Sequence, residues 1–207
     1  MDALLVIDVQ NDFLPGGALA VPDGDQVIPM VNGLVERFDL VLATQDWHPA
    51  NHGSFAAIHL NRQPGDVIDL NGIMQVLWPV HCVQGSAGAE FASQLRTERF
   101  RKIFKKGIDP EIDSYSGFFD NGRKRSTGLA EYLRDRGVDE LFICGLATDY
   151  CVKFSVLDSI GCGIRTHVIA DACRGVDLKP GDSAAAFAEM RNAGASVVES
   201  AGVRLES

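Results

Sequence analysis

The chain has 207 residues, 46% hydrophobic and 23% charged, which suits one sizeable α/β core. Its formal net charge of −9 argues against a nucleic-acid partner, because a phosphate backbone needs a basic face. Five cysteines with no C-x-x-C pair read as reduced thiols. With no signal-peptide pattern and no apolar run of the roughly 20 residues that span a bilayer, a cytoplasmic location without a membrane partner is expected.

In chain order, Ala3–Asp8 is a continuous apolar run ending on an acid, as in a strand covered on both faces. Asp25–Phe38 has helical spacing, with Pro29 near its start. Leu40–Gln45 is a second strand. From Trp47 to about Ser86, His, Pro, Gly and Asn break the rhythm around one V-I-D-L run, and this stretch reads as a long loop insertion. Lys102–Lys105 is a third strand, followed by a second long loop over 107–124. Then come a helix (Thr127–Arg136), a strand (Leu141–Gly145), a helix (Tyr150–Ile160), a strand (His167–Ala170), a helix (Ser183–Ala193) and a last strand (Ser196–Glu199). Gly137, Gly161 and Gly194 follow the three helices as C′ residues. The alternation predicts a single domain over residues 1–207, a three-layer αβα sandwich with a six-stranded, mainly parallel sheet. Ligands of such sheets bind beyond the carboxyl ends of the strands.

The polar clusters fall at those ends. Asp8 either caps the turn after its strand or is a buried working acid. Alternation lets only one of Lys105 and Lys106 point into a site, where a lysine beside a carboxylate favours thiolate and ionised Asp. Cys151, in C-G-L-A-T-D-Y-C-V-K-F, is expected in the first turn of a helix. Backbone N–H groups there stabilise a thiolate and can hold an oxyanion. Cys144, Cys162 and Cys173 read as inert, and Cys82 points away if His81 is a ligand. Asp46, His48 and His52, with the remote His81, can form a two-His, one-carboxylate metal site. Phe13, Trp78 and Tyr115 are either core or the walls of a pocket for a flat ligand. His59 and His167 have no evident partner.

Five blocks stand in order: V-I-D-V-Q-N-D-F, T-Q-D-W-H-P-A-N-H-G-S-F, W-P-V-H-C-V-Q-G, F-K-K-G-I-D-P-E-I-D-S-Y-S-G-F-F-D-N and G-L-A-T-D-Y-C-V-K-F. Together they resemble the isochorismatase-like cysteine hydrolases, specifically the nicotinamidases, nearly end to end. The resemblance implies a triad of Cys151 as nucleophile, Asp8 as acid and base, and Lys106. It implies one divalent metal, zinc first with iron or manganese as alternatives, held by Asp46, His48 and His81. His52 matches a position that ligates only in some members. A cis Leu146–Ala147 bond and an oxyanion site from the N–H groups of Ala147 and Cys151 are also implied, with Phe13, Trp78, Tyr115 and Leu146 at the substrate. The implied reaction takes nicotinamide to nicotinate and ammonia through a thioester, in NAD salvage, by a monomer or homo-oligomer. Pyrazinamide is an expected further substrate. Among the rivals, carbamoyl amidases share the triad but generally lack the metal cluster, and vinyl-ether hydrolases of the superfamily do not need the cysteine. A non-catalytic metal-binding module would carry the triad only by accident.

Overall fold

The computed structural model describes residues 1–203; the last four positions of the expected 1–207 domain lie outside the described residues. The elements are β1 (Asp2–Ile7), α1 (Val27–Val35), β2 (Leu40–Asp46), β3 (Val67–Leu70), β4 (Ile73–Val76), β5 (Lys102–Lys106), α2 (Leu129–Asp135), β6 (Glu140–Leu146), α3 (Lys153–Gly161), β7 (Arg165–Arg174), α4 (Asp182–Asn192) and β8 (Ser196–Val198). Six strands form one sheet in the order β5-β2-β1-β6-β7-β8, and each neighbouring pair is parallel.

The order explains the apolar runs. The inner strands β1, β2 and β6 are buried almost throughout, because helices cover both sheet faces. The chain moves one way through β1, β2 and β5, then returns to β6 and moves the other way. Right-handed crossovers therefore put α1 on one face and α2, α3 and α4 on the other. The direction reverses between β1 and β6, which opens a crevice at their carboxyl ends.

Several boundaries differ from expectation. The V-I-D-L run pairs with Ile73–Val76 in an antiparallel hairpin, turned by Asn71-Gly72, so the 47–86 insertion has a small sheet of its own. β7 continues to Arg174 because its register shifts between Ile143 and Gly145, after which Gly145 and Leu146 pair with Cys173 and Arg174. Polar residues in that extension hid it from a search for apolar runs. α3 runs through Gly161, and Gly163, with φ +81°, takes the C′ place that suits a residue lacking Cβ.

Candidate active site

The strand ends that carry Asp8, Asp46, Lys106 and Cys151 converge at this crevice. Lys106 lies directly opposite Asp46 in the β2–β5 register, but β5 is two strands from β1, about 10 Å away. Only a long side chain spans that gap. The Lys106 ammonium reaches Asp8 Oδ2 at 2.9 Å, pairs with Asp46 Oδ1, and donates to Ser114 O at 3.1 Å and Cys151 Sγ at 3.3 Å. Lys105 alternates outward, with its ammonium 3.5 Å from the centre of the Trp47 ring.

Cys151 does not occupy an ordinary first α-turn. Residues Thr148–Val152 form a wider π-turn, in which the Val152 N–H reaches back five residues to Ala147 O at 3.1 Å. Such turns recur at functional sites because they re-aim one side chain without ending the helix. Here the turn sits between β6 and α3 and presents the thiol to Lys106. The Leu146–Ala147 peptide is cis.

Asp8, Lys106 and Cys151 are all buried. Burial pushes the Asp8 carboxyl up against the pull of Lys106, Asp46 adds to the rise, and the group settles at about 6. Burial also pushes the Cys151 thiol well above its usual value, with Lys106 opposing. Lys106 does favour the thiolate, as expected, and desolvation opposes it as the larger effect. Burial would lower Lys106, but the Asp46 and Asp8 carboxylates outweigh it and hold the ammonium charged. Burial thus disfavours the Cys151 thiolate, while the two carboxylates favour the Lys106 ammonium. Asp8 Oδ2 lies within the ion pair yet accepts no aligned hydrogen bond. One carboxylate oxygen of Asp8, the Cys151 sulfur and an Asp46 oxygen lie within 4.8 Å of one another, so Asp8 is close enough to take the thiol proton.

The other face of Asp46 looks toward two imidazoles. Asp46, His48 and His81 bring ligand atoms within 4.8 Å of one another. Nε2 of His48 is 3.6 Å and Nε2 of His81 is 4.0 Å from Asp46 Oδ2. Nδ1 of each ring is occupied by a backbone carbonyl, Gly107 O at 2.9 Å for His48 and Pro79 O at 2.8 Å for His81. A carbonyl only accepts, so each Nδ1 carries the hydrogen and Nε2 is the ring atom turned toward Asp46, the orientation that metal-binding histidines use. Gly107 is required there, since a Cβ would lie 2.2 Å from His48 Cε1. Burial would raise Asp46, but Lys106 and then His48 hold it far below the usual carboxylate range. Burial, and then His48, push His81 down to about 4, which leaves it neutral. One carboxylate and two imidazoles, buried together with both Nδ1 atoms engaged, make an O,N,N ligand set. The donor set fits a divalent metal.

His52 packs on His48, with ring centres 4.3 Å apart, and falls in a second grouping with His48 and Asp113. The His52 Nδ1 contacts Ser54 Oγ at 2.7 Å, and its Nε2 is buried without a partner. His59 and His167 contact Gly53 O and Glu140 respectively.

A cleft of about 370 Å³, counting its mouth, opens onto Cys151. Phe13, Trp78, Tyr115 and Ala147 line it together with Asp46, His48 and His81. Gln75 and Trp78 both donate to the Tyr115 hydroxyl, at 2.8 and 3.2 Å, and fix that wall. The Leu146 side chain is fully buried and packs toward Gly24 rather than lining the cleft. Leu19, Asp113, Tyr150 and Val176 line the cleft without having been anticipated. Asp113 and Tyr150 belong to the D-P-E-I-D-S-Y and T-D-Y-C segments, whereas Leu19 and Val176 carry no local signal. Thr44, also missed, donates to Asp8 Oδ1 at 2.7 Å.

Fold and site together are those of a hydrolase built on a three-layer αβα sandwich. A model of the isochorismatase domain matches residues 2–202, and the chain belongs to that family. It is 52% identical over 199 residues to the nicotinamidase of Escherichia coli (strain K12), covering 94% of this chain and 93% of the relative. A solved Acinetobacter baumanii nicotinamidase/pyrazinamidase superposes with a TM-score of 0.94 at 46% identity, over 97% of this chain and 96% of the other. The pyrazinamidase of Pyrococcus horikoshii in complex with zinc superposes with a TM-score of 0.78 at 40% identity, over 96% and 98% of the two chains.

Proposed function

We propose that this chain hydrolyses nicotinamide to nicotinate and ammonia through a Cys151 thioester. The observation that carries the reading is one cleft lined by Cys151 and by Asp46, His48 and His81, with the buried Lys106 ammonium joining Cys151 to Asp8 behind it. The relatives at 46–52% identity, named as nicotinamidases, point to the same substrate.

Because burial disfavours the thiolate, attack needs a base. Asp8 takes the Cys151 proton as sulfur attacks the carboxamide carbon, and Lys106 stabilises the sulfur and carboxylate charges. The N–H groups of Ala147 and Cys151 hold the oxyanion, an effect worth about 3 kcal/mol per donor. Protonated Asp8 gives its proton to the leaving nitrogen, ammonia departs, and the thioester remains. Asp8, again ionised, removes a proton from water as it attacks the thioester carbonyl. The thiolate then leaves beside Lys106, is reprotonated, and nicotinate is released. A divalent ion held by Asp46, His48 and His81 would supply a Lewis acid able to bind the pyridine nitrogen and orient the ring. Phe13, Trp78 and Tyr115 supply flat aromatic walls for that ring.

The same reading takes zinc as the metal, with iron or manganese as alternatives that the donor set also suits. It includes pyrazinamide as a second substrate, one domain over residues 1–207, and a place in cytoplasmic NAD salvage. No helix among the described residues is long and apolar enough to cross a membrane.

The test is ammonia release from nicotinamide and from an N-carbamoyl amide, before and after chelation. The expected result is turnover of nicotinamide that chelation depresses and zinc restores. Preference for the carbamoyl substrate, or indifference to chelation, contradicts the assignment.

A further inference from the structure

Two polar side chains in the turn after Asp8 have no part in the chemistry above. Gln10 is fully buried, and its amide pairs with both sides of the Asp46 backbone. The Asp46 N–H donates to Gln10 Oε1 at 2.8 Å, and Gln10 Nε2 donates to Asp46 O at 2.9 Å. The other Nε2 hydrogen goes to Ala89 O at 2.8 Å. The amide thus acts as a short piece of neighbouring strand at the point where β2 ends.

Asp12 sits against Gly88, where a Cβ would lie 2.1 Å from Asp12 Oδ2. Its Oδ2 accepts the Cys82 N–H at 2.7 Å, and its Oδ1 accepts the Ala18 N–H at 3.2 Å. The Cys82 carbonyl in turn accepts the His48 N–H at 3.0 Å. Cys82 has φ +45°, a conformation that a residue with a Cβ holds only with outside support. Asp12 provides that support, and through it the peptide next to His81 and the backbone of His48 are fixed.

We propose that Gln10 and Asp12 are positioning residues for the metal ligands. Gln10 sets Asp46; Asp12 sets His81 and, through the Cys82 peptide, His48. The turn that begins at the catalytic acid thereby also holds the metal donor set. The inference rests on the ligand assignment made above.

Zinc titration of the metal-stripped protein against a chromogenic chelator tests it, using wild type, His81→Ala, Asp12→Ala, Asp12→Asn and Gln10→Met. Folding of each variant is checked by circular dichroism and by the melting temperature of the metal-free form. Groups that orient ligands typically contribute about 10–100-fold to metal affinity. Asp12→Ala and Gln10→Met should lose zinc affinity on that scale, and Asp12→Asn, whose amide oxygen still accepts the Cys82 N–H, should recover most of it. A merely structural role would lower the melting temperature of the metal-free form and leave zinc affinity unchanged. If His81→Ala weakens zinc binding while folded Asp12→Ala binds as tightly as wild type, the positioning role is overturned and the ligand assignment stands. If His81→Ala itself binds like wild type, the ligand assignment fails and the positioning role fails with it. Should Gln10→Met not fold, the two Asp12 variants decide the matter.

Discussion

A base working near neutrality benefits from a raised carboxyl, and the surroundings of Asp8 supply one. Burial lifts it against Lys106, and it titrates at about 6. Asp8 must be ionised to accept the thiol proton, so kcat/KM should fall as pH drops through about 6. The Thr44 hydroxyl donates to Asp8 Oδ1 at 2.7 Å and favours the ionised form. Thr44→Val removes that donor while keeping the shape, so the acid limb should move to higher pH. A pH–rate profile of the two proteins checks this, and an unmoved limb would assign it to another group. At this scale strand alternation was the most informative part of the sequence. It required Lys105 and Lys106 to face opposite ways, and Lys106 is buried while Lys105 lies over Trp47. The charge state of Cys151 was not legible, because lysine and helix dipole argue for a thiolate and only the depth of burial shows that desolvation wins.

The π-turn depends on a neighbouring element. Asp149, within it, accepts the N–H groups of Val176 at 2.9 Å and Asp177 at 2.8 Å. Asp177 in turn accepts Ser183 N–H and Oγ–H at the start of α4. Val176 lines the cleft, so one carboxylate ties a pocket wall to the turn that carries Cys151. Hydrogen bonds to a charged acceptor are worth about 1.5–3 kcal/mol each. Asp149→Ala should therefore loosen the wall and raise KM by about tenfold, the equivalent of 1.4 kcal/mol, with a smaller loss of kcat. Steady-state kinetics reads the split, and an unchanged KM would remove Val176 from the substrate's surroundings. Apolar runs marked the buried strands and glycine stops marked the ends of α2 and α4, whereas the stop read at Gly161 falls inside α3, whose C′ residue is Gly163. The β3–β4 hairpin and the tail of β7 escaped, because half-exposed strands carry mixed sequence and their pairing is set by partners far along the chain.

Across the whole molecule, one reversal of strand order between β1 and β6 explains why distant segments share a site. The carboxyl ends of β1, β2, β5 and β6 bring Asp8, Asp46, Lys106 and Cys151 together, and the 47–86 insertion supplies His48 and His81. The five sequence blocks pointed to these residues because each chemical group ends a strand or opens a loop. Leu19 and Val176 reach the cleft only through tertiary folding of loops with no chemical signature, so no spacing announces them. Leu146 shows the converse, a residue within a matching block whose side chain goes to the core. The account stands or falls on Cys151 as the nucleophile. The most direct measurement is ammonia release from nicotinamide by Cys151→Ala, with fold and metal content verified against wild type. The account predicts no enzymatic release above background from a folded, metal-loaded variant. Sustained turnover by that variant would contradict it.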